Sequence, residues 1–97
     1  MNVKIQSVKF DADQKLVDFI EAKAAKLEKF DDRIISTDVI LKIDKDHENG
    51  NKLVTVNIDS PGNPLVAERR AKSFEEAFDE CISAIKKQIE KQKDKMK

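Results

Sequence analysis

The sequence has one cysteine, one histidine, two glycines and two prolines, and it has neither tryptophan nor tyrosine. A single cysteine, Cys81, excludes an intrachain disulfide and fits a reducing compartment. The five phenylalanines fall mostly at core spacing, which leaves little aromatic surface for stacking on bases. No stretch approaches the roughly 18 consecutive apolar residues of a membrane span, and none has the apolar core of a signal peptide. The composition therefore predicts a cytoplasmic protein with no membrane partner.

Motifs for catalysis and for metal or cofactor binding are also lacking. His47 lies in a polar segment, DKDHENGN, and the sequence offers it no Ser or Cys partner, so we expect a solvated side chain. Cys81 falls on the apolar stripe of a predicted helix, which favours a packed thiol over a nucleophile. A metal site would need a cluster of His and Cys ligands, and Gly50 and Gly62 are too isolated for a phosphate-binding loop. We expect no enzyme activity, cofactor, metal or small-molecule substrate.

The length and charge of the chain set two further limits. Ninety-seven residues with 39% apolar side chains can form one core, so residues 1–97 are expected to be a single domain. The 19 basic and 19 acidic side chains cancel. Any polyanionic partner must therefore be recognised by a local basic patch rather than by net charge.

Hydrophobic periodicity predicts four strands. Alternating apolar and polar residues indicate strands at residues 2–8, 36–45, 53–59 and 65–71, although Ile40 interrupts the alternation of the second. Asn49-Gly50 is a strong hairpin signal because both residues tolerate positive φ. Pro61-Gly62 is typical of a type II turn.

Two helices with apolar stripes complete the pattern. The first, at about residues 13–30, is predicted to begin at a capping box of Asp11 and Gln14 and to end at Asp31-Asp32. The second follows a capping box of Ser73 and Glu76 and runs close to the last residue. The order β-α-β-β-β-α predicts an α+β fold, a two-layer sandwich with both helices on one face of a four-stranded sheet and the other face wet.

The second helix segregates its charges. Four acids and no base lie between residues 73 and 80, whereas residues 86–97 contain six lysines against Glu90 and Asp94. Acids at the start and bases at the end of a helix suit its dipole, but that effect fades within one turn. The basic stretch spans about three turns at 3.6 residues each. It is either a solubilising tail or an electrostatic footprint.

Other basic residues could join that footprint. Lys23, Lys26 and Lys29 follow the first helix at a spacing of three, and Lys23 lies inside its apolar stripe. If both helices lie on one face of the sheet, the Lys23 stem could pack at the seam with the second helix while its ammonium enters a shared positive groove. The other interpretation, which spacing alone favours, is a lysine that reaches solvent and has no partner.

Four motifs in order resemble a known family. They are K-x-x-K-L-E-K-F at residues 23–30, V-x-L-K-x-D-K at 39–45, A-x-D at 77–79 and Q-I-x-K-x-K-D-K at 88–95. Together they resemble the short ribosome hibernation-promoting factors, also called ribosome-associated inhibitors. The resemblance covers nearly the whole chain and implies the same β-α-β-β-β-α fold. It also implies binding to the small ribosomal subunit, in the channel used by mRNA and tRNA anticodon ends, and inhibition of translation when growth stops, as in stationary phase or stress.

The resemblance also implies rRNA contacts at the matching basic positions Lys23, Lys26, Lys29, Lys42, Lys45, Lys87, Lys91, Lys93 and Lys95. Arg69, Arg70 and Lys86 are basic residues outside the family pattern, and they complete the predicted set of rRNA contacts. Three features depart from the family pattern: Ala84 stands where relatives usually carry a basic residue, Phe74-Glu75 replaces a Met- or Leu-Tyr pair, and Arg69-Arg70 is unusually basic. We expect no C-terminal dimerisation domain of the kind found in long relatives.

Two other functions fit the same residues. A general double-stranded RNA-binding module could use two helices on one face of a sheet. A cytosolic protein-binding adaptor could use the open sheet face or the helical tail without nucleic acid. Binding to free duplex RNA would distinguish an RNA-binding module from a ribosome-specific factor. Binding that depends only weakly on salt would distinguish an adaptor from a protein that contacts rRNA phosphates.

Overall fold

The structure, a computed structural model, describes residues 2–45, 50–61 and 64–95, the last three of these by their backbone alone. It confirms the predicted order β-α-β-β-β-α. The elements are β1 (Asn2–Val8), α1 (Gln14–Phe30), β2 (Ser36–Ile43), β3 (Lys52–Asp59), β4 (Leu65–Ala71) and α2 (Phe74–Lys95).

The four strands form one mixed sheet in the order β1-β2-β3-β4. β1 and β2 are parallel, and each later pair is antiparallel. Parallel neighbours need a long crossover, which α1 supplies, whereas antiparallel neighbours need only a short turn. The register pairs Ile5 with Val39, Val39 with Val56, and Val56 with Ala67. These residues form one apolar row that the helices cover.

The core lies between the helices and this covered face. Leu41, Val54 and Val56 are fully buried from the sheet side, and Phe78 and Ile85 are fully buried from α2. The inward-facing residues predicted for β3 are confirmed, because Val54, Val56 and Ile58 are all buried. The two-layer arrangement with both helices on one face is therefore present as predicted.

The opposite face of the sheet is open and mainly polar. Ile40 belongs to it, since its neighbours Val39 and Leu41 are buried and successive side chains in a strand point to opposite faces. Its partner across the sheet is Thr55, whose hydroxyl donates a hydrogen bond of 2.8 Å to Glu68. Ile40 is thus an apolar residue on the wet face, which explains the interrupted alternation.

The start of α1 differs from the prediction. Asp13, not Asp11, is the N-cap: its carboxylate accepts a hydrogen bond of 2.8 Å from the Leu16 N–H, and the helix begins at Gln14. Asp11 remains in the segment that crosses from β1 to α1. The pattern Asp-x-x-Gln predicted the wrong N-cap because Asp13, two residues after Asp11, can cap the helix equally well. At α2 the predicted Ser73 cap is confirmed, since its hydroxyl accepts from the Glu76 N–H at 3.2 Å.

The connections between the strands agree in part with the sequence-based prediction. β2 ends at Ile43, two residues before the predicted end, because Ile43 and Lys52 form the last pair of the β2–β3 register. Gly50 has φ of 126°, and a Cβ there would lie 2.3 Å from the Ala71 backbone, so this position requires glycine. Asn49, Gly62 and His47 lie outside the described residues.

Candidate nucleic-acid interface

Basic side chains meet where the two helices pack. Between α1 and α2 lies a groove of about 390 Å³, which we call the interhelical groove. Its lining comprises Lys23, Lys26, Asp79, Ile82, Ser83 and Lys86. The four residues from α2 recur at three- and four-residue spacing, so they form one stripe beside the buried stripe of the same helix. Helical periodicity alone therefore delivers Asp79 and Lys86 to the side facing α1.

Lys23 is positioned by both helices. Its ammonium lies 3.0 Å from a carboxylate oxygen of Asp79 on α2 and 5.3 Å from the centroid of the Phe19 ring on α1. The Lys23 side chain is 38% exposed and that of Asp79 is 50% exposed, so the pair is open to solvent and contributes about 0.2–1 kcal/mol at most. Lys23 therefore lies at the seam between the helices, and Asp79 is its partner within the chain. A contact between Lys23 and an rRNA phosphate stays a prediction.

The other two lysines of the groove lack that carboxylate contact. The Lys86 ammonium lies 5.8 Å from the centroid of the Phe30 ring, within the range of a cation–π contact. Lys26 is exposed on α1, and Lys29 follows it, also exposed, in the last turn. Three ammonium groups therefore share one carboxylate in the groove. The local charge is positive although the chain as a whole is neutral.

A second group of predicted residues lies on the other side of α2. Arg69 projects from β4 toward the helix, where it and Lys87 line a cavity of about 360 Å³ together with Asp79, Glu80 and Ser83. Here two bases face two acids. One of these acids is Asp79, which also lines the interhelical groove and pairs there with Lys23.

The remaining predicted residues are spread over the sheet and the end of α2. Lys42 and Lys45 lie at the end of β2, beside Lys9. Arg70, on the open face, donates to Asp44 at 2.9 Å. Lys91 is exposed on α2, whereas the side chains of Lys93 and Lys95 are outside the described part of the chain. Among the predicted residues whose side chains the structure describes, only Lys23, Lys26 and Lys86 line the interhelical groove, so these residues do not form one patch.

Cys81 is a packed thiol, as predicted. It is fully buried between α2 and the sheet, and its thiol donates to the Val54 carbonyl oxygen at 3.4 Å. Burial raises the pKa of the Cys81 thiol to about 11, which leaves almost no thiolate at neutral pH. Cys81 is therefore unsuited to nucleophilic catalysis.

No cluster of three metal-ligating residues occurs within residues 2–45, 50–61 and 64–95. No described helix is long and apolar enough to span a membrane.

Sequence reasoning missed two features of these surfaces. It named Asp79 only as part of a motif and did not pair it with Lys23. It also passed over Lys9, which lies beside Lys42 and Lys45. For Asp79 a signal existed, because it precedes Lys86 by seven residues and therefore shares its helical face. For Lys9 we find none, since its position depends on how the chain leaves β1.

Comparison with known proteins gives a consistent result. The family model described as "Sigma 54 modulation protein / S30EA ribosomal protein" matches residues 3–97. The chain is 31% identical over 97 residues to the ribosome hibernation promoting factor of Escherichia coli (strain K12), with 100% of this chain and 98% of that protein covered. It is 27% identical over 95 residues to the factor of the same name from Pseudomonas putida (strain KT2440), with 98% and 89% covered.

Solved structures agree on the fold. A ribosomal subunit interface protein from Coxiella burnetii superposes with a TM-score of 0.84 at 22% identity, covering 96% of this chain and 98% of that one. The N-terminal domain of Protein Y from Thermus thermophilus gives a TM-score of 0.79 at 20% identity, covering 94% and 98%. From the family match over nearly its whole length, the chain belongs to the Sigma 54 modulation protein / S30EA ribosomal protein family, whose curated relatives are ribosome hibernation factors.

Proposed function

We propose that this protein inhibits translation by binding idle ribosomes at the small subunit, in the channel used by mRNA and tRNA anticodon ends. Membership of this family indicates that the ribosome is the partner of the protein. The observation that carries the finer proposal is the interhelical groove, in which Lys23, Lys26 and Lys86 outnumber the single carboxylate of Asp79. An rRNA phosphate is the anion that such a groove would meet on a ribosome.

The groove suits contact with a nucleic-acid backbone rather than with bases. Lysine ammonium groups are point charges that neutralise phosphates, and each neutralised phosphate releases counterions and so favours binding. The described residues contain no exposed tryptophan or tyrosine for stacking, because the chain has neither. Contacts of this kind fix position and orientation without reading sequence. They suit a protein that recognises one fixed rRNA surface by its shape.

Inhibition then follows from occupancy alone. A folded domain seated in the channel would exclude mRNA and tRNA sterically, with no reaction and no cofactor. Lys29, Lys87 and Lys91, exposed on the two helices, would extend the contact beyond the groove. Lys93 and Lys95 are proposed from the family resemblance only. Ribosome binding also implies a cytoplasmic protein. Its activity under stress or in stationary phase is proposed from the family resemblance only.

Sedimentation and translation assays test this proposal. Purified protein should co-migrate with the small subunit in a sucrose gradient, compete with tRNA for it and inhibit translation in vitro. Undiminished translation at saturating, folded protein would contradict the channel assignment. A dimer peak in the same gradient would show directly whether bound ribosomes pair.

The same preparation separates the two alternatives. Equal affinity for free duplex RNA and for ribosomes would indicate a general double-stranded RNA-binding module. Ribosome binding that changes little between low and high salt would indicate an adaptor that contacts ribosomal proteins, since phosphate contacts are strongly salt-dependent.

A further inference from the structure

The two edge strands of the sheet differ in how their outer backbone groups are occupied. On β4, the carbonyl oxygen of Val66 accepts a hydrogen bond of 3.2 Å from the side-chain amide of Gln88. The carbonyl oxygen of Glu68 accepts one of 2.8 Å from the Arg69 guanidinium. These side chains occupy acceptors that another strand would need, so the β4 edge is protected against pairing.

The β1 edge has no such caps. The Asn2 N–H donates to the Ile35 carbonyl oxygen at 3.2 Å, on the side of β2. Because backbone groups alternate between the two sides of a strand, Val3, Ile5 and Ser7 direct their N–H and C=O groups to the outer edge. Within the described ranges of the chain, no hydrogen bond occupies these outward groups. The edge of β1 can therefore pair with a further strand.

A cleft runs along this open edge, between β1 and the side of α1 opposite to α2. Its volume is about 340 Å³, and we call it the β1-edge cleft. It is lined by Ile5, Ser7, Asp11, Ala12, Val17 and Glu21. Ile5 is only half-buried, although Val39 and Val56, in the same apolar row of the sheet, are fully buried. The helix α1 thus leaves apolar surface uncovered beside the edge.

The charge of the β1-edge cleft is negative. Asp11 and Glu21 are exposed, the described lining contains no base, and no ion pair joins either acid to a described residue. The nearest bases of β1 and its turn lie elsewhere: Lys4 is opposite Asp38 on the open face of the sheet, and Lys9 lines a different cavity. The cleft therefore favours a cationic occupant.

The geometry of the edge also defines the shape of that occupant. A strand added to β1 would direct every second side chain beneath α1, beside Ile5 and Val17. A lysine or arginine there would pack its stem on these apolar residues and extend its charge to Glu21. The intervening side chains would lie next to Lys4 on the open face, where a neutral residue avoids a like-charge contact. The best match is an extended segment that alternates basic and neutral residues.

We propose that the β1 edge binds an extended basic segment of a ribosomal protein as an additional strand of the sheet, with backbone hydrogen bonds to Ile5 and Ser7 and a basic side chain at Glu21. The ribosome is the partner that family membership indicates, and proteins that bind nucleic acids often carry basic arms. The inference rests on that partner but not on the channel or on any rRNA contact. A second copy of this chain fits the cleft less well, because it would bring a second set of the same acids.

Four variants of the full chain separate backbone pairing from charge. Ser7→Pro removes an outward N–H but no hydrogen bond to β2, since proline is tolerated where an edge strand faces solvent. Ser7→Thr keeps the N–H and is its control. Glu21→Gln removes a carboxylate from an exposed helix position and should fold normally. Its control is Glu90→Gln, which changes the charge equally at an exposed position on α2.

Two probes and the ribosome serve as ligands. Each protein is titrated with a short synthetic peptide that alternates lysine with threonine, and with a second peptide that alternates glutamate with threonine. Co-sedimentation with ribosomes is measured over a range of salt. Oligomeric state and thermal unfolding are recorded for each free protein.

The inference predicts that the parent binds the lysine peptide saturably and does not bind the glutamate peptide. Ser7→Pro should weaken binding of the lysine peptide about threefold to tenfold, because a backbone hydrogen bond is lost. Glu21→Gln should weaken it about threefold, whereas Ser7→Thr and Glu90→Gln should bind like the parent. Ser7→Pro should also weaken ribosome binding, with an unchanged slope of log K against log salt, since no phosphate contact is removed.

The inference is overturned if the lysine peptide shows no saturable binding, or if it binds Glu21→Gln and the parent equally. Ribosome binding that is as strong for Ser7→Pro as for Ser7→Thr, and as strong for Glu21→Gln as for Glu90→Gln, would also overturn it and leave the function proposed above standing. Dimerisation of the free parent that Ser7→Pro abolishes would assign the edge to a second copy instead. If both variants weaken ribosome binding while the parent leaves translation undiminished, the channel assignment fails and this inference stands.

Discussion

The interhelical groove and the open face of the sheet both carry many charges, but they distribute them differently. On the open face Lys4 lies opposite Asp38 in the strand register, and Arg70 contacts Asp44 at 2.9 Å, so each of these two bases has an acid beside it. In the groove Lys23, Lys26 and Lys86 share Asp79 alone. A net charge of zero therefore conceals surfaces that differ in local charge.

The difference follows from the geometry of the two elements. Neighbouring strands bring residues opposite one another in a fixed register, so opposite charges can pair across the sheet. Residues along one helix face recur every three or four positions, and two packed helices add their stripes together. Like charges on α1 and α2 are thus collected at the seam. Local architecture, not composition, determines where a polyanion can bind.

The largest predicted effect comes from removing the groove's charge. Replacing Lys23, Lys26 and Lys86 by Gln should reduce ribosome affinity roughly 100-fold near 0.15 M salt and lower the salt slope by about 2–3, because three phosphate contacts are lost. Stability should change little, since exposed substitutions usually stay within about 0.5 kcal/mol each. Ribosome co-sedimentation over a range of salt, with urea unfolding as the check on folding, measures both.

A charge-matched variant shows whether position matters. Lys4, Lys15 and Lys72 are exposed lysines outside the groove, and their joint replacement by Gln changes the net charge equally. We expect affinity within about threefold of the parent, which reflects only the weakened long-range attraction. Equal losses in the two triple variants would show that overall charge, and not the groove, drives binding.

The sequence predicts the two faces of the sheet better than it predicts the groove. The alternation of Val54, Val56 and Ile58 with polar residues is a local signal. Patterns of this kind were enough to predict the strands and the buried face of the sheet. The Lys23–Asp79 contact joins residues far apart in the chain, and its formation depends on how α1 and α2 sit on the sheet. Helical periodicity places each residue on its own helix but does not set that relative position. Asp11 and Asp13 show a similar limit, because two candidate caps lie so close that sequence cannot choose between them.

The ion pair at the seam gives a smaller effect. In a double-mutant cycle of Lys23→Met and Asp79→Asn, we expect a coupling of about 0.2–1 kcal/mol in the free energy of unfolding. Methionine retains an unbranched apolar stem, so packing beside Phe19 should survive. The coupling should fade as salt is added, because both side chains are partly exposed.

For Lys23→Met, the free energy of unfolding reports on packing, and ribosome affinity reports on binding. If Lys23 contacts an rRNA phosphate, this variant should bind ribosomes about fivefold more weakly near 0.15 M salt, whatever the size of the coupling. A variant that is as stable as the parent and binds equally well at all salt concentrations would remove Lys23 from the proposed interface. Its position at the seam would then be a structural accommodation only.

The smallest effect is expected on the open face, at Arg70. Its guanidinium is engaged with Asp44 and its side chain is only 23% exposed, so a phosphate would have to displace an existing contact. Arg70→Gln should therefore weaken ribosome binding less than twofold, against about fivefold for Lys26→Gln in the groove.

Asp44→Asn tests whether the ion pair keeps Arg70 from rRNA, because this variant leaves Arg70 without the Asp44 carboxylate. If Arg70 contacts rRNA, Asp44→Asn should tighten binding and the double variant should lose the gain. If both single variants bind like the parent, the Arg70–Asp44 pair belongs to the sheet alone, and Arg70 leaves the predicted set of rRNA contacts.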